Sequence, residues 1–569
     1  MDGTDGSIGS RRPVMTVQVG ATGHRALSDN AGDALAATAT QLLRAIADAA
    51  LRLHATDQAS ADPVFADDAP MLRLVCGLAS GADTVLAEAA RASGWSLVAT
   101  LPFARNDFEQ DFAAADLPRF RALLSQAVIV SELNGDHGRG GEPYAEIGRQ
   151  IVEQSDILLA VWDGLPPRGP GGTGEVVQLA LDRRVPVAVL SPDGLGAPVW
   201  HTATDNAVID AIVATAVLPP ADQSGFPQAL YHEPLVFSTW AATAVRTFER
   251  AMLLGAPRPA PAVLGTPAPP MPVTGPEQQV DAMFTIADRV AGRYAARFRA
   301  AGLLRYSLVL PATLGAFIAS FGPGWAKPVG YVIQFGSLGA VLLFSVRGSW
   351  ARDQGRFIAY RAVAEYIRNA RLLLPLGAMV TPPIIPVHQE RVADWASWYG
   401  RAVLRQAGLP GRYVDPAAVA MARQGVRTAV EAEIAFLRSR VARFGVIARR
   451  LRLIGLGLTI SGFVLAAIHG AMDFAHAGVR TTAWLSELAL VVPALAPIAM
   501  GLLGFGEYGR LSTRYSAVVA ELEAAVAALD RVGPDRRAVL PIARRITEVM
   551  LAEGADWQLM IKARTMATF

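Results

Sequence analysis

Four long apolar runs, each of about 16–22 residues, constrain this chain most, because that is the length a bilayer core demands of a helix. They cover roughly Tyr306–Phe321, Val329–Val346, Leu453–Met472 and Trp484–Phe505. Short turns, GPGWAK and DFAHAGVRTT, join the first two and the last two, so the runs read as two helical hairpins. Buried helices of a large soluble core are the alternative, and the runs are too long and too poor in charge for it. Arginines collect at one end of each hairpin. Arg293, Arg297, Arg299 and Arg305 precede the first helix, and Arg347, Arg352 and Arg356 follow the second. Arg449, Arg450 and Arg452 precede the third, and Arg510 and Arg514 follow the fourth, whereas the turns hold only Lys327 and Arg480. An excess of positive charge on the cytoplasmic side then places both termini in the cytoplasm, in a multi-pass membrane protein with two short turns outside.

Polar groups inside the runs are costly in hydrocarbon and mark either a pore or interhelical hydrogen bonds. Gln334 and Glu487 are the pore candidates, with the two readings evenly matched. Thr459 and Ser461 read as interhelical or backbone-bonded hydroxyls. Pro493 and Pro497 break the hydrogen-bond ladder of the fourth helix.

Composition separates this layout from other classes. Of 569 residues, 52% are hydrophobic and 18% charged, and the net charge is +2. A disordered chain needs low hydrophobicity and high net charge. A nucleic-acid binder needs a basic excess, so no nucleic-acid partner is expected. Long stretches of soluble character exclude a polytopic carrier, leaving a soluble domain joined to a membrane part. The lone Cys76 cannot form an intramolecular disulfide, which fits a reducing compartment, and its apolar strand MLRLVCGLAS makes it core rather than nucleophile. Residues 1–13 lack the apolar stretch of a secretory signal and read as a disordered tail.

The membrane half contains a duplication. AVAE at Ala362–Glu365 and VVAE at Val518–Glu521 lie 156 positions apart, each in an amphipathic helix after a hairpin. Ala-Asp-Trp recurs at 393–395 and 555–557, 162 positions apart. The repeated unit is two membrane helices, a long cytoplasmic helix and a closing Trp-bearing helix. This layout resembles the SLATT domains of bacterial conflict systems, which are proposed to form pores or disrupt membranes when a sensor domain is triggered. Two such units would occupy 278–412 and 413–569.

Residues 14–195 alternate apolar strands with helices: MTVQVGAT, MLRLVCGLAS, SLVATLPF, DILLAVWDG and VPVAVLS are the strands. That pattern predicts an α/β, Rossmann-like parallel sheet covered by helices. Three glycine-bearing loops follow strands: Gly20 to Arg25 (GATGHR), Gly77 to Asp83 (GLASGAD) and Gly169 to Glu175 (GPGGTGE). Ligands of open parallel sheets bind at that edge, where glycines admit a phosphate and helix N-termini offer free N–H groups. The candidate ligand-binding residues are Gly20, Thr22, Gly23, His24, Arg25, Gly77, Ser80, Gly81, Asp83, Asp163, Gly171, Gly172, Thr173 and Glu175. Thr22, Ser80 and Thr173 bring hydroxyls, Arg25 a fixed cation, and Asp83 and Glu175 acceptors for ribose hydroxyls or base amines. Ser80 or Asp83 suits a helix cap equally well, and Asp163 a turn. His24 reads as a ligand contact rather than a general base, since no orienting partner is evident. Arg168 and PPRGPGG form a lip over the site.

These three loops together resemble the SLOG superfamily, whose relatives include the DNA-processing protein DprA and the LOG nucleotide phosphoribohydrolases. The resemblance implies a nucleotide-derived signalling ligand, no resident cofactor or metal, and control of a fused effector in anti-phage or stress-induced growth arrest. The LOG pattern Pro-Gly-Gly-x-Gly-Thr-x-x-Glu has Glu175 at its threonine position here and Gln178 at its glutamate position, which favours a sensor over a hydrolase. An enzymatic alternative, a membrane-anchored nucleotide or NAD glycohydrolase, would use Glu175 and Arg25. Residues 196–254 read as a helical extension and 255–277 as a Pro-rich linker. Two hairpins are too few to enclose a channel, so a homo-oligomer is expected.

Overall fold

The computed structural model describes residues 11–27, 31–201, 208–223, 225–234, 239–256, 275–346, 349–380, 394–475 and 479–567. Arg347, Ala393, the first ten residues and 257–274 of the Pro-rich stretch lie outside the described residues.

Eight strands form one sheet: β1 Thr16–Gly23, β2 Met71–Cys76, β3 Ser96–Leu101, β4 Ala127–Leu133, β5 Ile157–Val161, β6 Val187–Leu190, β7 Val199–His201 and β8 Tyr413–Val414. Their order is β7-β6-β5-β1-β2-β3-β4-β8. All neighbours are parallel except the β6–β7 pair, so the sheet is mixed, with one antiparallel edge. The five strands expected from apolar runs are present. The chain builds β1 to β4 outward on one side, then returns to lay β5 against the other side of β1. That reversal opens a crevice above the carboxyl ends of β1 and β5.

The strand sequences are apolar throughout because both faces are covered. Val17, Val19 and Ala21 of β1, Leu74 and Cys76 of β2, and Ile157, Leu159 and Val161 of β5 share one core with helices α1 (Ala31–Gln58) and α2 (Ala82–Ala92). Val75, Val98, Leu158 and Ala160 alternate to the other face. They meet α3 (Glu142–Gln154), α4 (Thr173–Asp182) and the helical half of the chain in a single core. Cys76 is fully buried, as its apolar strand implies, and burial pushes its thiol up.

The helical half comprises α5 (Trp240–Met252), α6 (Gly275–Ser307), α7 (Val309–Phe321), α8 (Lys327–Val346), α9 (Ser349–Leu373), α10 (Asp394–Ala407), α11 (Pro416–Phe474), α12 (Val479–Ala494), α13 (Ala496–Gly506), α14 (Tyr508–Arg531) and α15 (Arg536–Ala567). Three helical stretches are long and apolar enough to cross a membrane: Gln278–Ser320, Pro416–Phe474 and Leu485–Arg531. A fourth apolar helix, Lys327–Leu343, is shorter. Only 17–22% of the most apolar window of each long stretch is buried. The third apolar run is the far end of one continuous 59-residue helix, α11, about 90 Å long at 1.5 Å per residue. The fourth breaks at Leu495, between Pro493 and Pro497, as a missing N–H and a ring clash dictate.

The two groups of helices pack in the same pattern. The helix leading into each hairpin lies along the helix that follows it, α6 on α9 and α11 on α14, and a further helix packs against each, α10 on α9 and α15 on α14. Helix α15 also packs on α9, which joins the two groups. Two contacts then bind the units to the sheet. β8, which follows α10, extends the sheet beyond β4. Arg405 of α10 sits beneath the sheet, where Nη1 meets Asp156 Oδ1 at 2.8 Å, and its carbonyl accepts from Arg73 Nη1 at 2.7 Å and Gln18 Nε2 at 3.2 Å. Burial pushes Asp156 up, and Arg405 opposes that shift. Arg405→Ala strands this buried carboxylate, so a loss of about 3–5 kcal/mol is expected, against under about 1 kcal/mol for Arg438→Ala at the exposed pair with Glu523. Denaturant midpoints of the two variants in detergent measure the difference.

Candidate functional site

At the crevice between β1 and β5 the structure holds a cleft of about 470 Å³. The end of β1 and the loop after it supply Thr22, Gly23, His24 and Arg25, the loop after β2 supplies Gly77, the first turn of α2 supplies Asp83, and Pro102 follows β3. The loop after β5 contributes Trp162 and Asp163 and continues through Arg168, Gly171 and Gly172 to Thr173. Ile147, Gly148 and Ile151 of α3 and Val176 of α4 form an apolar wall. Three loops some 60–150 residues apart in sequence thus converge on one space because they leave neighbouring parallel strands at the same edge.

Asp83 is 7% exposed in the floor of the cleft. Burial pushes it up to about 7, against the pull of N–H groups at Ala79, Gly77 and Gly23 and of the Arg25 charge. A carboxyl group so placed exchanges a proton near neutrality and can both donate to and accept from a ligand hydroxyl. His24 Nε2 lies 3.2 Å from the Asp163 backbone nitrogen and 3.3 Å from Asp163 Oδ1. Asp163 also receives the Leu165 N–H at 3.1 Å and Arg168 Nη2 at 2.7 Å. The Leu165 N–H, with His24 and Arg168, holds the Asp163 carboxyl below the usual range. His24 therefore does have a carboxylate partner, contributed from across the crevice. Arg168 is the lip residue that Asp163 anchors.

Helix α4 starts at Thr173 after Gly172, with no side chain capping its first turn. Its leading N–H groups and partial positive charge point where an anion would rest. Arg25 stands over the Tyr144 ring at 4.8 Å and lies 3.7 Å from Asp111 Oδ2, and the Tyr144 hydroxyl donates to the same carboxylate. Burial and the Asp111 contact raise the Tyr144 phenol. His137, stacked on Phe103 at 3.8 Å, completes the group 3.8 Å from Asp111 Oδ1. Asp111, His137 and Tyr144 join the site without any mark in the sequence. They carry no glycine or periodicity signal and meet Arg25 only through the fold.

Four expected residues stand outside the lining. Gly20 lies within β1, where a Cβ would come 2.1 Å from Ser155 Oγ, so it serves helix packing. Gly81 has φ +93°, and a Cβ there would come 2.2 Å from the Arg25 carbonyl, so it lets the first two loops touch. Ser80 lies beside it with its Oγ buried and unpaired. Glu175 is exposed and accepts the Gly171 N–H at 2.7 Å, closing its own loop. Gln178 is also exposed and donates to Asp182 at 2.8 Å. Gly171 (φ +77°) is held against the first turn of α3, where a Cβ would come 2.6 Å from Ala145 N.

In the helical half, Gln334 lies where α7 and α8 cross closely through Gly315 and Gly330, and a Cβ on Gly315 would come 2.6 Å from Gln334 N. Glu487 is half-buried on α12. Thr459 donates to its own helix at Gly455 O, 2.9 Å away, and Ser461 is exposed. Among the described residues no cluster of side chains could hold a metal ion.

No protein-family model, curated protein or solved structure matches this chain.

The Asp83 environment gives a pH test. Its folded-state affinity for a proton exceeds that of an unfolded aspartate near 3.8, so the folded protein loses stability as pH rises from about 4 to about 7 and is level above that. Asp83→Asn removes this term. The variant is expected to gain melting temperature over the parent progressively across that window, and parallel melting curves at every pH would contradict the assignment.

Proposed function

We propose that this chain is a bacterial membrane effector in which the sheet cleft senses a nucleotide-derived signal and the helical half opens or assembles a pore. The observation that carries the reading is the cleft itself. A helix N-terminus suited to phosphate, the cations Arg25 and Arg168, and the near-neutral acid Asp83 converge at the topological reversal of a parallel sheet. An apolar wall of Ile147, Ile151 and Val176 suits a base. Together these are the chemical complement of a nucleoside carrying phosphate. The resemblance of its loops to SLOG domains, and of the paired hairpins to SLATT units, supports the same pairing of sensor and effector.

The bilayer reading is supported by the length and apolar composition of the three helical stretches and by their exposed Leu453, Phe463, Leu490 and Met500. Arginines at the sheet-side ends of the hairpins support cytoplasmic termini. A homo-oligomer follows because two hairpins cannot surround a pore. The glycohydrolase alternative would need a carboxylate on the glycosidic bond. Glu175 is engaged by the Gly171 N–H and does not line the cleft, and the position of the LOG glutamate holds Gln178, also outside the lining.

Binding without turnover is the expected behaviour. The full chain in detergent, screened by thermal shift against cyclic and ADP-ribose-type nucleotides, should show at least one stabilising ligand recovered unchanged after incubation. Arg25→Ala should weaken that ligand about tenfold or more, the value of a charge-assisted contact. Gly172→Trp, which fills the space before α4, should abolish the shift. Release of free base would instead establish the hydrolase, and no stabilising nucleotide would remove the sensor.

A further inference from the structure

One helix is shared between the cleft and both membrane-directed units. The cleft side of α3 presents Tyr144, Ile147, Gly148 and Ile151. Its opposite side presents Glu146, Gln150 and Glu153, and none of these faces solvent freely. Glu146 Oε1 receives both terminal nitrogens of Arg536 at 3.0 Å. Glu153, its side chain 1% exposed, lies 2.9 Å from Arg544 and 3.2 Å from Arg183 at the end of α4. Gln150 Nε2 donates to Gly377 O, and Arg536 also reaches Leu376 O at 2.6 Å and Gly377 O at 3.2 Å. Arg536 and Arg544 belong to α15, the closing helix of the second unit. Leu376 and Gly377 form the turn that ends α9, the cytoplasmic helix of the first.

We propose that α3 is the coupling element of the protein: its cleft side is set by the occupant of the site, and Glu146, Gln150 and Glu153 deliver its position to both helical units at once. The proposal rests on reading the cleft as a ligand site and adds how that site would be read out. Three features support it. The loop carrying Gly171 is seated on the first turn of α3, so a ligand that reshapes the loop acts on the helix directly. Gly148 meets Val176 of α4 with no room for a side chain, so a displacement of α4 toward α3 is passed to α3 directly. The far-side contacts of Glu146 and Glu153 are charge-assisted and largely withdrawn from solvent, and that of Gln150 is buried, so they resist slippage. Beyond them, α9 follows α8 and α14 follows α13, so a tilt of α15 against α9 reaches both hairpins. Glu146, Gln150 and Glu153 are positioning residues, since none lines the cleft.

Coupling is reciprocal, so it is testable without any nucleotide. Hydrogen exchange of the full chain in nanodiscs would be compared for the parent and for Arg536→Gln/Arg544→Gln. The paired substitution should speed exchange about tenfold in the loop 163–172 and the first turn of α3, as expected when buried charge-assisted bonds are lost. Arg544→Lys alone, which keeps a charge on Glu153, should leave that loop near its parental rate. Arg438→Gln removes a similar charge pairing far from α3 and should leave the cleft unchanged. In the other direction, Gly148→Leu wedges α3 from α4 and should speed exchange over 536–550, an effect lost when Glu146→Gln and Glu153→Gln are added. The proposal is overturned if either perturbation stays confined to its own side, or if Arg438→Gln loosens the cleft equally. Should the paired variant fail to fold, Gly148→Leu decides alone. A cleft that binds no nucleotide shows itself in the thermal-shift screen, not here.

Discussion

Arg405 and Asp156 meet at the amino ends of β1 and β5, largely withdrawn from solvent, and much of the architecture follows from that contact. A parallel sheet must be covered on both faces. On one face α1 and α2 do this locally. On the other, α3 and α4 leave an area that the helical half fills with α6, α9, α10 and α15, so the two halves share one apolar core. A charge buried at that junction fixes register, because any slip of α10 along the sheet would leave the guanidinium and the carboxylate unpaired. The helical half is therefore part of the sheet domain's own structure, reinforced by β8.

That continuity bears on function. A sensor on a loose tether transmits little, since motion dissipates in the linker. Here the cleft wall, the sheet, α9 and α14 share one packed core. The buried Glu233, from the segment before α5, adds a second clasp, receiving Tyr294 at 2.7 Å, Arg356 at 3.1 Å and Tyr360 at 3.2 Å from α6 and α9. Arg11 binds the carbonyl of the same residue at 2.6 Å, so the end of the stretch expected to be a loose tail is fastened there. In the proposed reading, events in the cleft would reach the hairpins through this packing.

Much of this could be read from the sequence, and the remainder shares a physical cause. Strands β1, β2, β3, β5 and β6 announce themselves as apolar runs, and the hairpins by length. The three loops at the sheet edge follow from strand-then-glycine order, and they do meet. β4 escaped because its apolar run, Ala127 to Val130, is only four residues long before the polar Ser131 and Glu132. β8 has two residues and exists only because β4, some 280 positions away, offers it an edge. Asp111, His137 and Tyr144 are likewise a product of tertiary contact. Glycines were legible as special positions but not by role: Gly20 and Gly81 serve packing, while Gly171 and Gly172 shape the cleft. The break in the fourth apolar run was legible because proline acts locally.

The central claim is that a nucleotide in the cleft changes the state of the helical half in a bilayer. The most direct measurement is ion flux from sealed vesicles containing the full chain, recorded as the stabilising nucleotide is added on the sheet side. The account predicts flux that rises with occupancy and vanishes in Gly172→Trp. Nucleotide that binds with full affinity yet leaves flux at the level of protein-free vesicles would contradict it.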